Sequence, residues 1–256
     1  MTSGKREGNN LFSPRHSIVF IVVAVAVVFI LIRLAGKAGH VSPPPPARPA
    51  AASAPPVKQA PKEITFHGCP PEGSGGDGQL NLLKNRIDEG EYMSVGTGEI
   101  LSYTWPPSVV RRQRAEWPPD DKRAVDLHEG LPVSVEGYLL GAKEEGAESP
   151  NCRMNDPADR DFHLWLAGSP DAGREKAIVV EITPRVRAGH PEWTIASLHR
   201  LVRAGRMIRI SGWLLLDQEH PEQIGRTRGT LWEIHPIMKI EIADSGGWRM
   251  MTGEDD

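Results

Sequence analysis

Apolar and polar residues alternate along five short runs in the C-terminal half of the chain, and this period of two predicts five β-strands. Between the third and fourth runs, apolar residues recur at helical spacing over Trp193–Ala204, and Gly205 ends that pattern. The order β-β-β-α-β-β predicts a mainly β protein in which residues 131–244 form a small five-stranded barrel. Pro236 interrupts the last run, which predicts an edge or a bulge there. The predicted strands are Val133–Leu140, Asp161–Leu166, Ala177–Ile182, Met207–Leu216 and Thr230–Ile242.

A continuous apolar run from Ile18 to Ile32 lies near the N-terminus. It is shorter than the roughly 20 residues that cross a bilayer as a helix, but Arg33 can extend its charged end to the interface. Residues 18–36 are therefore predicted to be one transmembrane anchor, with a cleaved signal peptide as the alternative. Basic residues precede the run, so residues 1–17 are expected in the cytoplasm and the barrel outside it. These features predict a single-pass protein of the bacterial inner membrane.

Three further segments complete the predicted organisation. Residues 37–61 are rich in Pro and Ala and are predicted to be a disordered, extended linker that holds the barrel away from the membrane. Residues 62–130 contain too few apolar residues for a separate core and are predicted to be an N-terminal cap that packs on the barrel. Residues 245–256 are expected to be a disordered acidic tail. Short helices of the cap are expected at 79–87, 109–117 and 120–127.

The charge of the chain argues against a general nucleic-acid-binding surface. The whole chain carries a net charge of −3, with 30 Lys and Arg against 33 Asp and Glu. From Lys62 onward, 23 basic residues face 32 acidic residues, a net charge of −9. Binding to a phosphate backbone requires a basic surface. Nucleic acid is therefore an unfavoured partner, although a local basic patch would still permit it.

Cys69 and Cys152 are the two cysteines of the chain. Both lie in loops flanked by Pro or Asn rather than in apolar runs, and oxidising compartments preserve disulfides in exported domains. We therefore predict a disulfide between Cys69 and Cys152, with two unrelated buried thiols as the alternative.

The order of the elements resembles the OB-fold over roughly residues 131–242. The two long polar loops, 141–160 and 217–229, fall where that fold varies most. The resemblance implies strand order 1-2-3-5-4-1 and a binding face for oligonucleotides or oligosaccharides on strands two and three, between these loops. The strings DFHLWL (161–166) and LWEIHP (231–236) also resemble segments of uncharacterised bacterial membrane-anchored proteins. That second resemblance implies no activity.

The outward side chains of neighbouring strands are expected to meet on one patch of the barrel's outer face. Carboxylates and imidazoles of this patch offer the oxygen and nitrogen donors that zinc or manganese binds. The same groups could instead form a structural ladder of His–Glu pairs on a solvated face. No cofactor other than such a divalent metal ion is indicated. The candidate metal ligands are Glu136, His163, Glu181, Glu233 and His235.

A second set of residues is predicted to contact a ligand. Aromatic side chains on an OB-type face can stack on sugars or bases, and Tyr138 and Trp165 face the same side as His163. Arg226 and Arg228 in the last long loop could hold an anionic group. The alternatives are burial of the rings under the cap and ordinary surface charge for the arginines. The ligand-binding candidates are Tyr138, Asp161, His163, Trp165, Arg226 and Arg228.

The sequence contains no motif that fixes a reaction. It has no GxSxG elbow, no HExxH helix, no phosphate-binding glycine loop before a lysine and no CxxC pair. We therefore predict a membrane-anchored, extracytoplasmic OB-like binding or scaffolding module, whose partner is an oligosaccharide or an envelope protein. A metal-dependent hydrolase or nuclease that uses the His/Glu patch is the first alternative. An interaction protein of an export or envelope assembly, docking through its barrel, is the second.

Overall fold

The computed structural model describes residues 64–253. The predicted cytoplasmic tail, the transmembrane anchor at 18–36 and the Pro/Ala-rich linker lie outside the described residues. Within residues 64–253, no helix combines the length and the apolar character that crossing a membrane requires.

Strands account for more of the regular structure than helices do between residues 64 and 253. The strands are β1 (Met93–Ser94), β2 (Pro132–Glu144), β3 (Phe162–Ala167), β4 (Ile178–Ile182), β5 (Met207–Leu216), β6 (Trp232–Asp244) and β7 (Gly247–Met250). The helices are α1 (Gly78–Lys84), α2 (Thr97–Ser102), α3 (Pro119–Val125), α4 (Pro184–Arg187) and α5 (Ile195–Ala204). The protein is therefore mainly β, as the alternation of apolar and polar residues predicts.

Five of the strands close into a barrel. β2 pairs with both β3 and β5, β3 pairs with β4, β4 pairs in parallel with β6, and β6 pairs with β5. β2 can serve two neighbours because it is 13 residues long: its first half faces β5 and its second half faces β3. The order around the barrel is β2-β3-β4-β6-β5 and back to β2. The closed five-stranded barrel and its strand order are confirmed.

The apolar side chains that alternate along the barrel strands fill its interior. In β3 and β4, the residues predicted to point inward lie in the main hydrophobic core. Because β-branched and leucine side chains dominate these positions, they pack together inside the barrel as one core. The fully buried barrel residues include Leu164, Leu166, Ile178, Val180, Ile182, Ile208, Ile210 and Ile240.

α5 adds a buried face to this core and has clear start and stop signals. It begins at Thr194, whose side chain accepts a hydrogen bond from the Ser197 backbone while the Ser197 hydroxyl accepts one from the Thr194 backbone. It ends at Gly205, which has the left-handed conformation (φ 57°) that glycine adopts without strain. Leu198 and Leu201 are buried against the barrel. The predicted helix between the third and fourth barrel strands is confirmed.

Gly212 lets β5 and β6 approach closely opposite Pro236. The pairing of the two strands shifts register on both sides of Gly212. A Cβ atom on Gly212 would overlap the carbonyl oxygen of Pro236. β6 pairs with β4, β5 and β7, so the irregularity predicted at Pro236 is a bulge and not an edge.

Gly212→Ala is expected to lower the free energy of unfolding by about 1–3 kcal/mol, because the added methyl group must separate two paired strands. Urea denaturation of the full-length protein measures the change. Gly98→Ala in α2 is the matched control: a Cβ there meets nothing within 4 Å, and alanine favours a helix by up to about 1 kcal/mol over glycine. A Gly212→Ala variant as stable as wild type would contradict the close approach.

Residues 64–130, the described part of the segment predicted as a cap, contain α1, α2, α3 and β1, which pairs in parallel with β2. The helix predicted at 109–117 is wrong, because two short 3-10 turns replace it. The backbone N–H of Arg114 donates to the Asp77 carboxylate at 2.6 Å, and the Arg114 guanidinium is buried against Glu129. These contacts with distant residues outweigh the local helical pattern.

A disulfide joins Cys69 to Cys152, as predicted. It connects the start of the cap to the loop between β2 and β3. Two buried side chains reinforce this junction. Arg185 of α4 donates to the Cys69 carbonyl oxygen at 3.2 Å, and Asn85 donates to the Pro150 carbonyl oxygen at 2.8 Å.

The disordered tail predicted from residue 245 is wrong for residues 247–250, which form β7 and pair with β6. Two contacts explain the order of this segment. The Arg209 guanidinium of β5 lies 4.7 Å from the ring centre of Trp248, and Met251 is buried in the core. The prediction rests on the acidic composition of the tail and does not include the contacts of Trp248 and Met251.

Candidate functional site

A cleft of about 500 Å³ lies on the outer side of the barrel, between the β2–β3 loop and the β5–β6 loop. β3 and β4 contribute His163, Trp165 and Glu181 to its wall. Side chains of both charges surround these residues. The cleft is lined by Lys84, Lys143, Glu145, Glu148, His163, Trp165, Arg174, Glu181, Asp217, His220, Glu222, Gln223, Arg226, Thr227 and Arg228.

The strand register brings the outward side chains of β3, β4 and β6 together. His163 lies opposite Glu181, and Val179, two residues before Glu181, lies opposite Glu233. Because side chains alternate with a period of two, these residues share one face. His163 Nδ1 is 2.8 Å from Glu181 Oε1, and His235 Nδ1 is 3.2 Å from Glu181 Oε2. The predicted candidates of these three strands thus meet around Glu181.

Glu136 does not join this group. It is exposed and lies opposite Arg209 of β5, whereas Lys143 is the β2 residue opposite His163. The prediction fails here because β2 continues to residue 144 and shifts register in its second half. Glu145, just after β2, occupies the place predicted for Glu136: its Oε1 is 3.0 Å from His163 Nδ1.

The group is buried rather than solvated. His235 has no exposed surface, Glu233 is 1% exposed and Glu181 is 6% exposed. α1 of the cap contacts β6, and Asn151 of the β2–β3 loop donates to Asp161 Oδ1 at 2.9 Å. The expected solvated ladder is therefore wrong, because the cap and this loop cover the outer face of the strands.

Glu181 belongs to two groups of ligating atoms. One group is Glu145, His163 and Glu181, and the other is Asp161, Glu181 and His235. Within each group, one nitrogen or oxygen atom per residue lies within 4.8 Å of the others. Either group could supply three ligands to a metal ion, and both share the Glu181 carboxylate.

Within the inner group, Asp161, Glu181 and His235, several buried atoms lack a hydrogen bond. His235 Nδ1 is 3.2 Å from Glu181 Oε2 and 3.5 Å from Glu233 Oε1, and His235 Nε2 is 3.9 Å from Asp161 Oδ2. Among the described residues, none of these five atoms has a hydrogen-bond partner of acceptable geometry. Most buried polar atoms in folded proteins have one, so this cluster is unusual.

Neighbouring carboxylates raise the pKa values of His163 and His235. Burial opposes protonation of His163, but its hydrogen bonds with Glu145 and Glu181 outweigh burial and raise its pKa to about 9. Burial also opposes protonation of His235, and Glu181 and Glu233 likewise raise its pKa to about 9. Burial would raise the pKa of Glu181, but His235 and His163 hold it well below its usual range. The ionised Glu181 therefore favours the protonated form of both rings.

Lys84, the last residue of α1, brings a buried ammonium group to the cleft. It is 4% exposed and forms no salt bridge with any residue between 64 and 253. Burial opposes its charge, but nearby carboxylates, first Glu148 and then Glu181, outweigh burial and raise the pKa of Lys84 above its usual value. Burial raises the pKa of Glu148 to about 7.

Arg228 is paired inside the protein and is not free to hold an anionic group. Its Nη1 is 2.7 Å from Asp217 Oδ2 and 3.4 Å from Glu233 Oε2, and the residue is 2% exposed. His220 Nδ1 also contacts Asp217 Oδ2 at 2.7 Å, and this hydrogen bond raises the pKa of His220. Arg226, by contrast, is exposed and lines the cleft.

Neither aromatic candidate is an open stacking surface in the cleft. Trp165 is buried: its indole N–H donates to the Thr227 carbonyl oxygen at 2.7 Å, and the Arg174 guanidinium lies 3.7 Å from the ring centre. Tyr138 lies opposite Ala167, at the far end of the β2–β3 pairing, and does not line the cleft. The register of β2 therefore places the Tyr138 ring outside the cleft, and the Arg174 guanidinium covers the Trp165 ring.

Sequence reasoning missed the cleft residues of the cap and the loops. Asp217 follows directly after β5, and a polar residue at the end of an apolar strand is a signal that could have identified it. Lys84, Glu145 and Glu148 have no comparable local signal, because only the packing of the cap and the β2–β3 loop brings them to the cleft.

Comparison of the chain with protein-family models, curated proteins and solved structures found no match. The chemistry of the site is therefore inferred from its own residues.

Proposed function

We propose that the protein is a membrane-anchored, extracytoplasmic binding module of the OB type, and that its ligand is a short, hydroxyl-rich oligosaccharide. The position of the cleft carries this proposal. It lies against the second and third barrel strands, β3 and β4, between the β2–β3 and β5–β6 loops. This is the face on which OB barrels bind oligonucleotides and oligosaccharides.

The charges of the cleft favour a sugar over a nucleic acid. Its wall carries ammonium and guanidinium groups from Lys84, Lys143 and Arg226, and carboxylates from Glu145 and Glu148. A sugar hydroxyl both donates and accepts hydrogen bonds, so it can pair with either kind of group. A phosphate backbone only accepts, and the carboxylates would repel it.

The proposed location outside the cytoplasm has two supports. The apolar run at 18–36 is preceded by basic residues, a pattern that retains the N-terminus inside. The disulfide between Cys69 and Cys152 suits an oxidising compartment. Both features agree with an envelope protein whose barrel meets its ligand outside the membrane.

Lys143→Ala and Arg226→Ala are each expected to weaken binding of chitotetraose to the full-length protein by about tenfold, because each removes a charged hydrogen-bond donor from the cleft. Isothermal titration calorimetry measures the dissociation constants. Lys122→Ala in α3 is the control, since Lys122 is exposed and does not line the cleft. The proposal would be overturned if a single-stranded octanucleotide bound more tightly than chitotetraose. It would also be overturned if all three variants lost the same affinity for chitotetraose.

A second candidate is a metal-dependent hydrolase or nuclease. The observation that favours it is the group Glu145, His163 and Glu181, which lines the cleft and could hold an ion that activates water. The net charge of −9 from Lys62 onward makes a polyphosphate substrate the less suitable choice. Metal-dependent cleavage of a synthetic phosphodiester, abolished in a folded His163→Ala variant, would establish this function instead.

A further inference from the structure

Asp161, Glu181 and His235 form a deeply buried cluster of ionisable side chains beside the cleft. The side chains of Asp161 and His235 have no exposed surface, and that of Glu181 is 7% exposed. Removing such groups from water is strongly unfavourable unless close partners compensate for the lost hydration. Compensation is incomplete here, because Asp161 Oδ2, Glu181 Oε2 and both ring nitrogens of His235 lack hydrogen bonds.

We infer that Asp161, Glu181 and His235 bind one divalent metal ion of the zinc class beside the cleft, which Glu181 lines. The spacing of their atoms supports this assignment. Asp161, Glu181 and His235 each offer one ligand atom, and these three atoms lie within 4.8 Å of one another. The 3.9 Å between His235 Nε2 and Asp161 Oδ2 is longer than a charge-assisted hydrogen bond of about 2.7–2.9 Å. Two ligands of one zinc ion, with bonds of about 2.0–2.2 Å, lie roughly 3.3–4.3 Å apart.

The donor set and its surroundings fit such an ion. One imidazole nitrogen and two carboxylate oxygens are ligands that zinc accepts, and three protein ligands leave one position open. A neighbouring residue orients one of the ligands, as is usual around metal sites: Asn151 donates to the other oxygen of Asp161 at 2.9 Å.

The outer group, Glu145, His163 and Glu181, differs from the inner group in its hydrogen bonds, and this difference decides which group is assigned the ion. His163 Nδ1 already lies 2.8 Å from Glu181 Oε1 and 3.0 Å from Glu145 Oε1, which are hydrogen-bond distances. The outer group is therefore satisfied without an ion, whereas the inner group is not. This assignment goes beyond the proposed binding function, because it holds whether the cleft receives a sugar, a protein or a substrate.

The test is a zinc titration of the full-length protein after removal of metals with a chelator. Native mass spectrometry is expected to show one zinc ion per chain, and calorimetry is expected to show at least tenfold weaker binding for Asp161→Asn and for Glu181→Gln. Zinc is also expected to raise the melting temperature of wild type and not that of Asp161→Asn. Circular dichroism establishes that each variant is folded. Two variants are used so that the test can still be made if one of them does not fold.

Glu136→Gln and Glu145→Gln are the matched controls, since each replaces a carboxylate outside the inner group by an amide. Both are expected to retain one zinc ion and an affinity within a factor of about three of wild type. Loss of zinc in Glu145→Gln with normal binding in Asp161→Asn would overturn the inner site. A wild-type chain that binds no zinc, or binds it equally in all variants, would overturn the inference as well. Neither result alters the calorimetric test with chitotetraose, so the two proposals can fail separately.

Discussion

Replacing Arg228 by methionine is expected to lower the free energy of unfolding by about 3–5 kcal/mol. Arg228 is the buried partner of Asp217, at 2.7 Å, and of Glu233, at 3.4 Å, and all three side chains are at most 2% exposed. Methionine has a similar length but no charge, so the substitution leaves two buried carboxylates without their guanidinium. Urea denaturation of the full-length protein, followed by tryptophan fluorescence, measures the loss.

Arg226→Met is the matched control for this substitution. Arg226 is two residues away in the same loop and is exposed, so its replacement is expected to change stability by less than about 0.5 kcal/mol. The triple variant Arg228→Met, Asp217→Asn, Glu233→Gln is expected to recover part of the loss, because it also removes the two negative charges. A loss below about 1 kcal/mol in Arg228→Met would contradict the paired network.

Removal of the disulfide is the second substitution with a large expected effect. The bonded cysteines are 83 residues apart in the sequence, and a bond that closes so long a loop restricts the unfolded chain strongly. Replacing Cys69 and Cys152 together by alanine is expected to lower the free energy of unfolding by about 2–5 kcal/mol. Urea denaturation of the oxidised protein, the reduced protein and the double variant measures this effect.

The reduced wild type provides the control for the loss of the cysteine side chains. It is expected to be as unstable as the double variant, because both lack the covalent link and retain the Asn85 contact with the Pro150 carbonyl oxygen. If reduction has no effect on stability while the double variant is destabilised, the double variant loses stability because the cysteine side chains no longer pack. In that case the disulfide bond itself does not stabilise the junction.

Much of the barrel could be predicted because its strands have strong local patterns. Every inward position of β3 and β4 is apolar, and the observed bounds of both strands differ from the predicted ones by one residue at most at either end. α5 has a capping box at Thr194 and a glycine stop at Gly205. The same alternation placed His163 and Glu181 on one face, so part of the candidate site followed from the strand pattern alone.

The rest depends on contacts that no local pattern encodes. Glu136 was placed beside His163 because β2 was expected to end at residue 140, and four further residues with a register shift bring Lys143 there instead. The burial of Glu181 depends on the cap, whose Lys84 reaches the cleft through tertiary packing. The helix expected at 109–117 does not form, because Arg114 makes buried hydrogen bonds with Asp77 and Gln218, which are distant in the sequence.

The measurement that tests the central claim most directly is a two-dimensional amide NMR titration of the full-length, isotope-labelled protein with chitotetraose. The account predicts that the largest chemical-shift changes fall on residues 143–148, on His163 and Glu181, and on residues 217–228, which line the cleft. The groove lined by Phe162 and Trp193 on another part of the barrel should remain unchanged. Shifts centred on that groove, or no shifts at saturating sugar, would contradict the assignment of the cleft as the oligosaccharide-binding site.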